Sequence, residues 1–239
     1  MDDKQFIHRA ITNATVKVLV GSEFKGTGFF ITSDGYILTA YHCIGEYPPK
    51  ISVKTRFDGE FETFLDSKKS LRGEEYDIAV LKISYQPTDS LPLGNVSKEH
   101  ITDEIISVGY PASYIEDNQE LGFYLGNISR FRGNKIENDA MKGQGHSGGP
   151  VYHYKTSRVV GLVTEGYKSE VMLNTGLAAR FDALFEKWGE FEAINSETNN
   201  IWDITAHKNI VEADTKLKQI INGNKNIFSG TGNVNVTIN

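Results

Sequence analysis

The chain has 239 residues and a single cysteine, Cys43. One thiol cannot close an internal disulfide, so no covalent staple holds this fold. The six histidines are scattered and show no Cys/His spacing that suits a metal, so neither a metal nor a cofactor is expected. No stretch approaches the roughly 20 apolar residues of a membrane-spanning helix, and no membrane partner is expected. The opening residues, MDDKQFIHRAITNATVKVLV, start acidic and lack the basic start and apolar middle of a secretory signal. With the lone cysteine, this favours a reduced, cytoplasmic protein. A basic block is also missing. Lys and Arg number 25 against 31 Asp and Glu, a net charge of −6, which argues against a nucleic-acid partner.

What the sequence has is ordinary globular content: 39% hydrophobic and 11% aromatic residues, enough to bury a sizeable core in one large domain or two small ones. Short runs rich in β-branched and aromatic residues recur: TVKVLV (15–20), TGFFIT (27–32), YILTA (36–40), ISVKTRF (51–57), DIAVLKIS (77–84), IISVGY (105–110), FYLGNIS (123–129), PVYHY (150–154), VVGLVT (159–164) and GLAARF (176–181). Most are separated by Gly, Pro, Asn, Asp or Ser, and SDGY (33–36) reads as a hairpin with Asp-Gly suited to a type I′ turn. Many short strands without a helix–strand alternation predict an all-β sandwich or barrel. Near residue 180 the period changes. FDALFEKWGEF (181–191) sets Phe181, Leu184, Phe185 and Trp188 at helical spacing, a helix docked on the β structure. EAINSETNNIWD follows as a polar linker. IVEADTKLKQIIN (210–222) is helix-like, and the end alternates Val234, Val236 and Ile238 like a strand. Residues 1–190 thus form the main domain. Residues 191–239 are a tail with short α/β character that packs on that domain or binds a protein partner, its end suited to adding a strand to another sheet edge.

The most unusual stretch is GQGHSGGP (143–150), four glycines around one serine. A glycine pair in a loop is commonly a turn. Four of them beside one hydroxyl suggest backbone N–H groups gathered at a point where they could hold an oxyanion. Serine alone is a poor nucleophile and needs an adjacent base. His42, in TAYHCIG, lies just beyond an apolar strand, and Asp77, in EEYDIAVLKI, stands at the mouth of another. Each alone reads as a structural strand-end residue. Cys43, next to His42, reads as a small buried apolar residue, with a reactive thiol as the alternative.

Together, GTGFFI…LTAYHC around His42, DIAVLKI around Asp77 and GHSGGPV around Ser147 occur in the chain order of one solution to acyl transfer. The sequence resembles the trypsin/chymotrypsin-like serine peptidase family over about residues 10–190. Within it, SVGYPAS (107–113) and NDAMKGQGHSGGP (138–150) are similar to the compact bacterial, HtrA-like type, and the tail does not resemble a PDZ domain. The resemblance implies a double six-stranded β-barrel with a C-terminal helix, and a cleft between the barrels that takes a polypeptide substrate. It implies Ser147 as nucleophile, His42 as general base and acid, Asp77 as the carboxylate that holds the imidazole, and the Gly145 and Ser147 amides as the oxyanion hole. A side chain at Gly145 would, on this view, crowd the substrate carbonyl. The specificity pocket is implied near Met141, Lys142, Thr164, Glu165, Gly166 and Gly176. With Met141 where enzymes that cut after Lys or Arg carry an acid, an apolar P1 residue such as Leu, Val, Ala or Phe is expected. Lys142 turned inward would favour an acidic P1 residue, and Glu165 a basic one. His146 departs from the family's secreted zymogens, which carry an aspartate there, so activation by N-terminal trimming is not expected. Its ring is either simply solvated or titrates near neutral pH and tunes the hole. By analogy, such domains with short extra segments serve bacterial stress or antiphage systems. The rival reading is a catalytically silent peptidase fold that recruits a partner through its tail.

Overall fold

The computed structural model describes residues 3–46, 48, 50–112, 120–140, 143–166, 175–200, 202 and 203, with backbone alone at 165 and 166. It opens with helix α1 (Asp3–Ala14), for which the sequence reading provided no element. The helix turns Phe6, Ala10, Ile11 and Ala14 into the core, a spacing that gives one apolar face.

Six strands then form the first barrel: β1 (Thr15–Val20), β2 (Glu23–Phe30), β3 (Tyr36–Ala40), β4 (Ile51–Lys54), β5 (Glu60–Leu65) and β6 (Ile78–Lys82). They close in the order β1-β2-β3-β6-β5-β4. A one-turn helix, α2 (Tyr41–Ile44), follows β3. The second barrel uses β7 (Glu104–Gly109), β8 (Gly122–Arg132), β9 (Lys135–Asn138), β10 (Pro150–His153), β11 (Arg158–Gly166) and β12 (Gly176–Ala179), closed as β10-β11-β12-β9-β8-β7. Pairing is antiparallel throughout both barrels. This is the double six-stranded barrel that the resemblance implies. Closure also removes the sheet edges that a free β-sheet would expose.

Two strands lie outside the apolar runs. EFETFL (β5) buries only Thr63, with Phe61 and Leu65 half-buried against the core, and KIEN (β9) carries Lys135 and Glu137. Glu and Lys are poor strand formers; here the ladder partners on both sides override that preference. The SDGY connection also differs from expectation. A type I′ turn needs φ > 0 at both central residues, but only Gly35 is left-handed (φ 96°). The loop is wider, and Thr32 Oγ1 accepts the Tyr36 N–H at 3.0 Å.

Ile105, Ile128, Ile136, Val151, Val160, Val163 and Ala178 fill the second barrel. A larger cluster fills the first and continues through Ile106, Val108, Tyr152 and Leu162 into the space between barrels. The predicted helix over 181–191 is shorter, α3 (Asp182–Lys187). Trp188 leaves helical geometry, and a new helix, α4, runs over 191–200. The stretch expected to be a linker is therefore docked. The Asn195 amide accepts from Leu93 N–H and donates to Leu93 O, both at 2.9 Å. Thr198 Oγ1 donates to Ile31 O at 3.1 Å, and Trp202 packs 5.6 Å from the Phe6 ring. Asn and Ser look linker-like in sequence, but here two polar side chains satisfy buried backbone groups. The helix-like stretch 210–222 and the alternating end at Val234, Val236 and Ile238 lie outside the described residues.

Candidate active site

His42 is delivered by α2, whose single turn begins where β3 ends. Asp77 precedes β6, which pairs with β3, with Ala40 opposite Ile78. That pairing sets the carboxylate beside the imidazole. The His42 backbone N–H donates to Asp77 Oδ1 at 2.9 Å, and His42 Nδ1 lies 2.7 Å from Asp77 Oδ2. A carboxylate only accepts hydrogen bonds, so the shared proton belongs to Nδ1, and the neutral ring keeps Nε2 as an acceptor. The imidazole is 44% exposed and the carboxylate 10%, so the ring is open to solvent while its partner is shielded. The Asp77 hydrogen bond raises the His42 pKa above the ordinary histidine value, and the neighbouring Cys43 thiol adds to this.

Ser147 comes from the second barrel, on the loop before β10. One residue of the first barrel, Thr27 on β2, holds that loop. Its backbone N–H donates to Ser147 O at 2.8 Å, and its hydroxyl donates to Gly145 O at 2.8 Å while accepting the Tyr110 N–H at 2.9 Å. Nothing marked Thr27 in the sequence beyond its place between two glycines. Cys43 is buried, as read from sequence. Its sulfur lies 3.7 Å from both His42 Nε2 and Ser147 O, so the imidazole and the serine loop meet on one thiol. The Ser147 hydroxyl itself donates to Thr164 O at 3.2 Å rather than to His42.

The loop's glycines have measurable reasons. Gly145 has φ 91°, and a Cβ there would run into Tyr110 O and lie 2.6 Å from the Ala112 nitrogen. The glycine is thus required by its left-handed backbone and its neighbours within the protein, rather than by a substrate carbonyl. Gln144 O accepts from the Ala112 N–H at 2.8 Å. Because a trans peptide points C=O and N–H in opposite directions, the Gly145 N–H faces away from that contact. Among the described residues, neither the Gly145 nor the Ser147 amide donates to a protein acceptor. His146 is fully buried, so the expectation of a solvated loop residue is wrong.

Of the expected pocket residues, Met141 and Lys142 lie outside the described residues. Thr164 and Gly176 are buried. Glu165 and Gly166 continue β11, paired with Leu177 and Gly176. Lys135 also reaches this region; its ammonium donates to Thr164 Oγ1 at 3.3 Å. Among the described residues, no cluster of three or more His, Cys, Asp or Glu could hold a metal, and no helix is long and apolar enough to cross a membrane.

The family model described as "Trypsin-like peptidase domain" matches residues 26–162, more than half of the chain. The chain belongs to that family. Among curated relatives, the trypsin-like domain is 29% identical over 147 residues to a "Probable periplasmic serine endoprotease DegP-like" of Rickettsia prowazekii, covering 58% of this chain and 28% of the relative. It is 28% identical over 144 residues to the "Serine endoprotease DegS" of Haemophilus influenzae, covering 58% of this chain and 41% of the relative. The crystal structure of the serine endoprotease from Yersinia pestis superposes with TM-score 0.62 at 26% identity, covering 78% of this chain and 65% of that one. The chain therefore spans less than half the length of these two curated relatives.

Proposed function

We propose that the chain is a serine endopeptidase that cleaves polypeptides through an acyl-enzyme. The observation that carries this reading is the His42 residue held by both Asp77 carboxylate oxygens, Oδ2 on the imidazole Nδ1 and Oδ1 on the backbone N–H, beside a serine loop whose Gly145 and Ser147 amides have no acceptor among the described residues. In this reading a substrate carbonyl enters between those amides, and Ser147 Oγ turns from Thr164 O towards His42 Nε2. Such hydrogen bonds are often unmade until substrate is bound. Ser147 Oγ then attacks the carbonyl carbon while its proton passes to Nε2. The tetrahedral oxyanion is held by the Gly145 and Ser147 N–H groups. Collapse breaks the C–N bond, and His42 gives its proton to the leaving amine. Water, deprotonated by His42, attacks the Ser147 ester, and the proton passes from His42 to Ser147 Oγ as the C–O bond breaks and the acid leaves. Asp77 keeps the proton on Nδ1 and stabilises the imidazolium at each transfer.

A fluorophosphonate probe tests this directly. The wild-type chain should label at Ser147, and Ser147→Ala should neither label nor turn over a peptide. Equal cleavage by the two proteins removes the proposal, and failure of the folded wild type to label favours a silent binding module instead. The expected P1 preference is apolar, and a peptide library dominated by Arg at P1 would overturn it. A cytoplasmic setting and a role in bacterial stress or antiphage defence belong to the same proposal. The relatives named as periplasmic point to the other compartment, which cell fractionation would distinguish.

A further inference from the structure

His146 stands between the two amides assigned to the oxyanion hole, yet the chemistry above makes no use of its ring. The ring has no exposed surface, and among the described residues neither Nδ1 nor Nε2 has a hydrogen-bond partner. Buried polar atoms are nearly always paired, so a histidine left this way calls for an explanation. The space around it is shaped for a ring. A Cβ at Gly109 would lie 2.8 Å from His146 Cα and 3.1 Å from its Cβ and Cδ2. Gly109 pairs with Gly122 across β7 and β8, and a Cβ at Gly122 would lie 2.6 Å from the Tyr124 ring. Two facing glycines therefore make room for one stack, Tyr124 on His146, with centroids 4.6 Å apart and planes at 41°. The backbone is fixed at the same point, where His146 O accepts the Gly149 N–H at 2.9 Å.

Resting on the serine-peptidase reading, we propose that His146 is a positioning residue for the oxyanion hole: its uncharged ring, seated between Gly109 and Tyr124, fixes the flanking Gly145 and Ser147 amides, and protonation of the ring releases them. Among the described residues, β8 sets the Tyr124 phenol ring against it and β7 sets Gly109 there. Among the described residues no acid is hydrogen-bonded to the ring, so none of them offsets the charge of an imidazolium. Burial alone pushes the pKa of this ring below the ordinary histidine value. A phenylalanine could therefore fill the seat, since the nitrogens make no hydrogen bond with a described residue that it would lose.

Two measurements decide the matter. In peptide kinetics at alkaline pH, His146→Phe should keep kcat within about threefold of wild type. His146→Ala, which empties the seat, should lower kcat by about 100-fold with KM little changed, the size of losing one oxyanion donor. A Phe variant that falls as far as the Ala variant would overturn the proposal, as would an Ala variant with full kcat. If His146→Ala does not fold, a folded Phe variant whose kcat falls by about 100-fold still overturns the proposal. The second measurement is an NMR titration of His42→Ala protein, in which the other histidine at the site no longer contributes. The His146 ring should be neutral at pH 7, and its protonation at lower pH should move the Gly145 and Ser147 amide resonances together. A charged ring at pH 7, or amides that ignore its titration, would refute the mechanism. This titration needs no turnover, so a wild type that fails to label or cleave counts against the peptidase reading while the seating of His146 is still decided.

Discussion

Asp77 has φ 53°, a left-handed conformation rare outside glycine. Such a backbone costs about 1–3 kcal/mol, although aspartate and asparagine tolerate it better than most residues. What holds it there is visible on both sides: its N–H donates to Gly73 O at 2.9 Å, its carbonyl accepts from Tyr41 at 3.1 Å, and both carboxylate oxygens face His42. Asp77→Asn should therefore keep the fold, because Asn accepts the same backbone and can still accept the His42 N–H. Its NH2, however, would face Nδ1 and drive the ring proton to Nε2, where it blocks the transfer from serine. The expected loss in kcat is about 10⁴-fold, with a melting temperature close to wild type. An Asp77→Asn protein of near-normal kcat would dismiss the carboxylate from the mechanism. The pH profile has a defined sign. Asp77 favours the charged ring and raises the His42 pKa, so the inactive protonated base persists to higher pH than in a free histidine. The kcat/KM of the wild type should rise with pH and reach half its plateau above the ordinary histidine value of about 6.5.

At the scale of elements, one strand of the first barrel carries the Ser147 loop of the second. Thr27→Val keeps the shape of the β2 side chain but removes a donor to Gly145 O and an acceptor for the Tyr110 N–H. Leaving such buried groups unpaired should cost about 1–3 kcal/mol, read as a lower urea midpoint. A fall in kcat greater than the change in KM should accompany it, because the freed carbonyl belongs to an oxyanion residue. Thr27→Ser, which keeps the hydroxyl, should recover most of both losses; a Val variant with normal kcat would limit Thr27 to stability. The comparison of sequence with structure turns on the same distinction between local and distant contacts. TVKVLV, YILTA and DIAVLKIS became β1, β3 and β6 because their apolar residues face a barrel interior, and that pattern is written locally. EFETFL and KIEN are interrupted by Glu and Lys, and they became β5 and β9 with ladder partners on both sides that lie elsewhere in the chain. The helix over 191–200 hid behind Asn195 and Thr198, whose partners Leu93 and Ile31 are far away in the chain. His42, Asp77 and Ser147 stood out through their flanking residues. Thr27 and the burial of His146 did not, because both depend on how closely the two barrels and the β7–β8 surface approach the loop.

At the scale of the whole molecule, the two ends of the described chain close over the barrels together. Phe6 of α1 meets Trp202, Trp202 stacks 6.1 Å from Tyr152 of β10, and Arg158 of β11 donates to Asp203 at 2.8 Å. Phe191 and Trp202 are buried, and each large apolar side chain buried in this way contributes about 1.5–3 kcal/mol. The segment 191–203 is thus bound to the barrels by apolar area and by the Asn195 and Thr198 hydrogen bonds, and a chain cut after Glu190 would expose the surfaces it covers. Two truncations separate a structural tail from a recruiting one. Ending the chain after Glu190 should lower the melting temperature sharply or leave the protein insoluble, whatever residues 204–239 do. Ending it after Asp203 should preserve the melting temperature and the cleavage of a short peptide, because none of the contacts above is lost. If residues 204–239 dock a partner that brings substrates, the second truncation should also lose cleavage of protein substrates in cell lysate, measured by N-terminal profiling against Ser147→Ala. Loss of short-peptide cleavage in the chain ending at Asp203 would instead make those residues part of the catalytic unit and remove the recruiting role.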